Sequence, residues 1–186
     1  MTHPLRYEQE GRVAVVTMDD GKANALPTEM ITALVEAIDR AEREASALVL
    51  VGRPDRFCAG FDLKVMMSGP DAAMTMLRHG SELLMRLYAA KVPLVMAATG
   101  HALAGGALML LTADVRIGAA GSYRIGLNEV AIGLPVPILA MELARDRLLP
   151  TELTRATLLA EIYAPEAAAR AGYLDRVLPA EEILDA

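Results

Sequence analysis

The sequence contains no tryptophan and a single cysteine, and aromatic residues fill only 4% of its 186 positions. A core so poor in rings has to be built from Ala, Leu, Val, Ile and the 11 methionines. The lone cysteine, Cys58, closes no internal disulfide, which excludes a disulfide-stapled scaffold and points to a reducing compartment. Three histidines and that cysteine show no zinc-type spacing. Apolar runs stop short of the roughly 18 residues that a membrane-spanning helix needs. The opening stretch MTHPLRYEQEGR is polar and lacks the apolar region of a signal peptide. There are 18 basic against 24 acidic residues, and the net charge of −6 has the wrong sign for a general nucleic-acid binder. A few Lys or Arg could still form a local site for a small anion. These absences predict a cytoplasmic protein with neither a nucleic-acid nor a membrane partner.

What is present is mostly apolar. Hydrophobic residues make up 54% and charged residues 23%, enough apolar surface to offset the ordering entropy of most of the chain. The sequence shows no low-complexity segment, charge block or Pro/Gly/Ser linker, so residues 1–186 read as a single domain. Val13–Met18, Leu48–Gly52 and Pro93–Ala98 read as buried strands, the last apolar enough to be covered on both faces. Pro27 opens a helix with Ile31, Leu34, Val35 and Ile38 on one face and Glu36, Asp39 and Arg40 opposite. Asp71 can cap a helix running to about Tyr88, with Leu77, Leu84 and Leu87 as its core stripe. Ala102–Leu111 reads as a buried helix, and Val115–Ile117 and Tyr123–Ile125 as short strands. Helices are expected over 136–146, 151–160 and 165–171, the last stopped by Gly172, before a strand at Leu174–Leu178. Apolar strands alternating with amphipathic helices predict α/β layers with largely parallel pairing, although periodicity alone leaves the winding open.

Three segments could carry chemistry. The first is Phe57-Cys58-Ala59-Gly60-Phe61-Asp62-Leu63-Lys64. On composition alone it is an ordinary loop into a helix capped by Asp62. Small side chains beside a glycine would equally let backbone N–H groups approach a ligand. The second is Gly100-His101-Ala102-Leu103-Ala104-Gly105-Gly106-Ala107-Leu108, a strand running through a glycine turn into an apolar helix. Exposed N–H groups at a helix start favour an anion or a developing oxyanion, and close helix packing accounts for the glycines as well. It matches no dinucleotide or P-loop fingerprint, which leaves a flavin or nicotinamide cofactor without support. The third is Ile125–Pro135, where Glu129 stands in an almost wholly apolar run. A desolvated carboxylate there would have its pKa pushed upward, as a general base requires, unless it lies at the surface or pairs with Arg124. Cys58 has no visible base partner and reads as a small hydrophobe, His101 as a packed or capping residue, and Asp114 as a turn or ion-pair residue.

In this order the segments resemble the crotonase superfamily, also called the enoyl-CoA hydratase/isomerase family. The first is similar to the family's F-x-A-G-x-D-L motif, and the second to G-x-A-x-G-G-G, with Ala104 replacing the first of three glycines. Leu127–Leu134 is similar to P/N-E-x-x-[IL]-G, Asn24-Ala25-Leu26 to the N-A-L that opens the first helix, and Tyr173–Pro179 to the late G-L-V-D-x-V-V-P strand. The resemblance implies an α/β spiral of repeated ββα units with surrounding helices. It also implies trimers or dimers of trimers and an acyl-CoA thioester as ligand, with no cofactor beyond the coenzyme A of the substrate. The oxyanion donors would be the backbone N–H groups of Ala59 and Gly105. Ala25 and the Ala59, Gly60, Phe61 and Asp62 stretch would contact the CoA chain, and Lys22 and Lys64 its phosphates.

Two departures matter. Hydratases of the family use two glutamates. One position is kept as Glu129 and the other is Leu108, which can neither activate water nor move a proton. The string Leu127-Asn128-Glu129 is closer to the single-glutamate Δ3,Δ2-enoyl-CoA isomerases, so a double-bond shift by Glu129 is expected. Hydration by Glu129 alone and a non-catalytic acyl-CoA-binding protein are the rival readings. The family also continues past the late strand with helices, whereas this sequence stops at Ala186, so a short or absent C-terminal helical region is expected.

Overall fold

The apolar runs of the sequence become the inner strands of a six-stranded sheet in the computed structural model, which describes residues 4–185. The first turn of the chain holds β1 (Leu5–Glu10), β2 (Val13–Met18), β3 (Ala25–Leu26) and α1 (Thr28–Glu44). The second holds β4 (Ala47–Val51), β5 (Asp55–Cys58), β6 (Gly60–Phe61), α2 (Leu63–Met66) and α3 (Pro70–Tyr88). The third holds β7 (Leu94–Ala98), β8 (Gly100–Leu103) and α4 (Gly105–Thr112). The fourth begins with β9 (Val115–Ala119) and β10 (Ile125–Gly126), followed by α5 (Ile138–Arg147), α6 (Leu153–Thr157), α7 (Pro165–Ala171) and β11 (Arg176–Leu178). Each turn places a strand (β2, β4, β7, β9) in the main sheet, ordered β1-β2-β4-β7-β9-β11, then steps into a short crossing strand and returns through helix, with β1 added before β2 and β11 after the last helix. Only β1 and β2 pair antiparallel; the other pairings of this sheet are parallel. The crossing strands form a parallel β10-β8-β5 sheet and a β3-β6 pair. This is the expected spiral of ββα units.

The period-two alternation of strands sets the core. Ala14, Val16 and Met18 of β2, Leu48 and Leu50 of β4, and Leu94 and Met96 of β7 join the helix-side core. Met30, Ile31, Leu34 and Ile38 of α1 meet them from the helix layer. Arg116 secures the outer end of the sheet, its Nε and Nη2 donating to Asp175 at 3.0 and 2.6 Å and its Nη1 to the Gly172 carbonyl at 2.8 Å.

Several boundaries differ from the sequence reading. Residues 100–103 are strand, because β8 is paired on both sides, and α4 starts only after Ala104 adopts φ 49°. Helix α3 starts at Pro70 with Gly69 as its cap residue, so Asp71 lies in the first turn. Its buried stripe is Met76, Leu83, Leu84 and Leu87, and Leu77 is only half-buried. Of Tyr123–Ile125, only Ile125 is in a strand, continuing to Gly126. The 151–160 helix shortens to Leu153–Thr157, while α7 has the expected bounds and ends at Gly172, φ 103°. Strand β1 carries little sequence signal because, apart from Leu5 and Tyr7, its side chains are polar and exposed, as an edge strand allows. After β11 the described residues add a short 3-10 turn, Ala180–Glu182. Among them no helix is long and apolar enough to cross a membrane.

Candidate active site

Two backbone turns from different parts of the chain meet at the end of the helix layer, and Asn24 holds one of them in place. Asn24 is fully buried with φ 51°, and its Nδ2 donates to the carbonyls of Met18, Arg56 and Phe57 at 2.9, 3.2 and 3.1 Å. The Asp20 amide donates to its Oδ1 at 3.0 Å. This clamp ties the start of β3 to the end of β5, and Ala25 then pairs with Gly60, and Leu26 with Phe61. Gly60 takes φ 88°, and an added Cβ would lie 2.9 Å from the Gly105 nitrogen, the Leu103 oxygen and the Ala104 Cβ. The two turns are therefore in direct contact, and only glycine fits at position 60. Gly106 is a packing glycine, since a Cβ there would lie 2.2 Å from the Cys58 carbonyl oxygen.

The amides differ in availability. Gly105 is the first residue of α4, so its N–H has no acceptor within the helix. The Ala59 N–H donates to the Ala23 carbonyl at 3.1 Å, and the Gly60 N–H points to the Cys58 sulfur at 3.4 Å. The donor role expected of Ala59 therefore needs correction: its amide is already engaged by the Ala23 carbonyl, and Ala59 also lines the cavity.

Beside these turns is a cavity of about 200 Å³. Its walls include Ala59, Phe61, Met66, Leu77 and Leu108, and among the described residues its only polar lining side chains are Asn128 and Glu129. Glu129 precedes a 3-10 turn, Val130–Ile132, and is 8% exposed. Its Oε2 is buried without a hydrogen-bond partner, as is Asn128 Oδ1. Burial raises the Glu129 pKa above the usual carboxylate value, and its own backbone amide only partly opposes this. A carboxyl shifted upward by burial in a cavity wall is a feature that functional sites share. Leu108, 2% exposed, adds wall and no acid.

The remaining candidates lie outside the cavity lining. Asp62 caps α2, accepting from the Lys64 amide at 2.8 Å. Lys22 and Lys64 are exposed, and the Lys22 carbonyl accepts from Arg53 Nη1 at 2.7 Å. Cys58 is fully buried, which pushes its thiol up to about 12 and removes it as a nucleophile. His101 Nδ1 accepts from the Arg124 amide at 2.9 Å, and the Asp114 carboxylate accepts from the Leu94 amide at 2.8 Å. Sequence reasoning missed the walls formed by Met66 and Leu77, because apolar residues on helices read as core.

The family model described as enoyl-CoA hydratase/isomerase matches residues 8–186. The chain belongs to the enoyl-CoA hydratase/isomerase family. Within the family, the mitochondrial enoyl-CoA delta isomerase 1 of Rattus norvegicus is 32% identical over 184 residues, covering 96% of this chain and 64% of that protein. A probable enoyl-CoA hydratase of Rhodobacter capsulatus is 37% identical over 139 residues, covering 70% of this chain and 54% of the relative. The chain thus spans less than two thirds of the length of these curated relatives. Among solved structures, a family member from Pseudomonas syringae superposes with a TM-score of 0.96 at 41% identity, covering 98% of this chain and 79% of that one. An enoyl-CoA isomerase of Mycobacterium tuberculosis gives 0.94 at 42%, covering 100% and 81%. Family relatives are thus named for both isomerisation and hydration.

Proposed function

We propose that the chain moves a double bond in an enoyl-CoA thioester, with Glu129 as the single acid/base. The observation that carries this reading is one buried carboxylate, the sole titratable side chain among the described residues lining a cavity that also includes Ala104, the residue before the helix-start amide of Gly105. Glu129 takes a proton from C2 of a 3-enoyl thioester. The C2–H electron pair then forms the dienolate and places negative charge on the thioester oxygen. Returning the proton to C4 leaves the 2-enoyl product. The Gly105 N–H would donate to the charged oxygen. The second donor would be the Phe61 N–H, because the two amides before it are engaged and the backbone of Gly60, just before Phe61, packs against Gly105. Each such donor is worth about 10²–10³ in rate in a dry site. The backbone of Ala25, Ala59, Gly60, Phe61 and Asp62 would run along the CoA chain, with Lys22 and Lys64 as phosphate partners. Assembly as a trimer or hexamer in the cytoplasm belongs to the same reading.

The test is turnover of a 3-enoyl-CoA and of crotonyl-CoA by the wild type and Glu129→Gln. The expected result is isomerisation by the wild type and a loss of about 10²–10⁴-fold in the variant. Equal turnover in both proteins would remove Glu129 from the chemistry. Water addition to crotonyl-CoA without isomerisation would favour a single-glutamate hydratase, as the hydratase-named relatives suggest. Saturable binding with no turnover of either substrate would make this an acyl-CoA-binding protein.

A further inference from the structure

Tyr173 is a buried titratable residue that the proposed chemistry does not use. It sits between α7 and β11 at 0% exposure. Its ring packs against Tyr163 with centroids 5.7 Å apart. Tyr163 in turn exchanges backbone hydrogen bonds with Ile125, at 2.9 and 2.8 Å, just upstream of Glu129. The two rings therefore back the segment that carries the acid. The Tyr163 hydroxyl donates to Glu152 Oε2 at 3.0 Å, but the Tyr173 hydroxyl has no hydrogen-bond partner among the described residues. Buried hydroxyls nearly always have one, so an orphan needs a reason. The Leu127 amide lies beside the Tyr173 oxygen without reaching hydrogen-bond geometry. The proton on that oxygen still lacks an acceptor. Glu129 Oε2, also buried and unpartnered, lacks a donor. Burial, then the charges of Tyr163 and Glu129, raise the Tyr173 pKa, so the hydroxyl keeps its proton.

We infer that Tyr173 is a positioning residue for Glu129, its hydroxyl donating to Oε2 when the carboxylate is ionised. The inference rests on Glu129 as the acid/base and adds the group that holds it. A neutral hydroxyl suits a proton shuttle, because it donates to a carboxylate and accepts from a carboxylic acid without changing its own charge. With Oε2 held from behind, Oε1 is left to meet the substrate. Such contacts commonly close only in the working complex.

The experiment is Tyr173→Phe, read in two ways. Carbon-13 NMR titration of the Glu129 carboxyl, assigned by its loss in Glu129→Gln, needs no turnover. The variant is expected to bind its carboxyl proton roughly tenfold more tightly, because the ionised form has lost a donor. In isomerase assays, kcat is expected to fall roughly tenfold with KM within about twofold, and the acid limb of the kcat profile to move to higher pH. A residue that only packs the core would lower the melting temperature and leave the titration in place, which overturns the inference. Should the variant fail to fold, the wild type still decides: the Tyr173 ring carbon bearing the hydroxyl must shift as Glu129 titrates, and a flat response overturns the proposal. If Glu129 and Tyr173 titrate together but no isomerisation occurs, the proposed reaction fails and the positioning role stands.

Discussion

A carboxyl removed from water holds its proton more tightly than it does in the unfolded chain, and for Glu129 burial is the cause. The stability consequence has a definite sign. The contribution is fully present below the unfolded value, 4.5, and is lost as pH rises through the higher folded value. Glu129→Gln, which never ionises, is therefore expected to melt above the wild type at pH 8, with the gap closing toward pH 4. An unchanged gap across that range would show that the folded protein does not perturb this acid. Asp175 has the opposite sign. Burial raises its pKa, but the side-chain and backbone hydrogen bonds from Arg116 outweigh that and hold it below the usual range. Its contribution is present above the unfolded value and lost as pH falls through the folded one, so Asp175→Asn is expected to destabilise at pH 7 and converge on the wild type in acid. Thermal melts at both pH values check this. Glu129 was legible in the sequence because a lone carboxylate in an apolar run is a side-chain signal. The engagement of the Ala59 amide was not, because a backbone direction depends on the Asn24 clamp and on the φ of Gly60, and neither follows from residue type alone.

At the scale of elements, the site depends on how closely β6 and the start of α4 approach. Two glycines separate the contributions of backbone strain and contact. Gly11 and Gly60 both have positive φ, 59° and 88°, but an added Cβ at Gly11 meets nothing within 4 Å, whereas at Gly60 it meets the Gly105 nitrogen at 2.9 Å. Gly11→Ala is expected to cost about 1 kcal/mol, the left-handed penalty alone, and to leave turnover unchanged. Gly60→Ala is expected to cost about 1–3 kcal/mol more, because backbone must move, and to reduce kcat by separating the two turns. Urea unfolding and isomerase assays on both variants test this, and equal losses would show that the close approach is unimportant. The same distinction explains which elements the sequence announced. Strands β2, β4 and β7 carry apolar runs, and α1 carries an apolar stripe, so solvent exclusion marks them directly. Strands β3, β6 and β10 have two residues each and exist because the spiral brings partners to them. No local periodicity can encode that, and the winding was legible only through the resemblance of ordered motifs.

In the whole molecule, the main sheet has two apolar faces and the helices cover one. Val13, Val15, Val49, Val95, Val115 and Ile117 alternate onto the other, where a groove of about 520 Å³ lies. The all-apolar β7 predicted full cover on both sides, as parallel sheets usually have. The structure corrects this, because Val95 is only half-buried. Ile183, beyond the 3-10 turn that follows β11, packs onto this face at 4% exposure, whereas its neighbour Leu184 lines the groove but is 67% exposed. A single side chain thus closes part of the layer against water, and removing it uncovers strand surface as well as its own methylenes. Ile183→Ala is expected to cost about 2 kcal/mol, the low end for a buried truncation because the short segment can relax, and to increase binding of an apolar dye. Leu184→Ala, at an exposed site, is expected to stay within about 0.5 kcal/mol of the wild type. If both variants unfold and bind dye as the wild type does, Ile183 is not what shields this face, and its burial contributes nothing to holding the sheet.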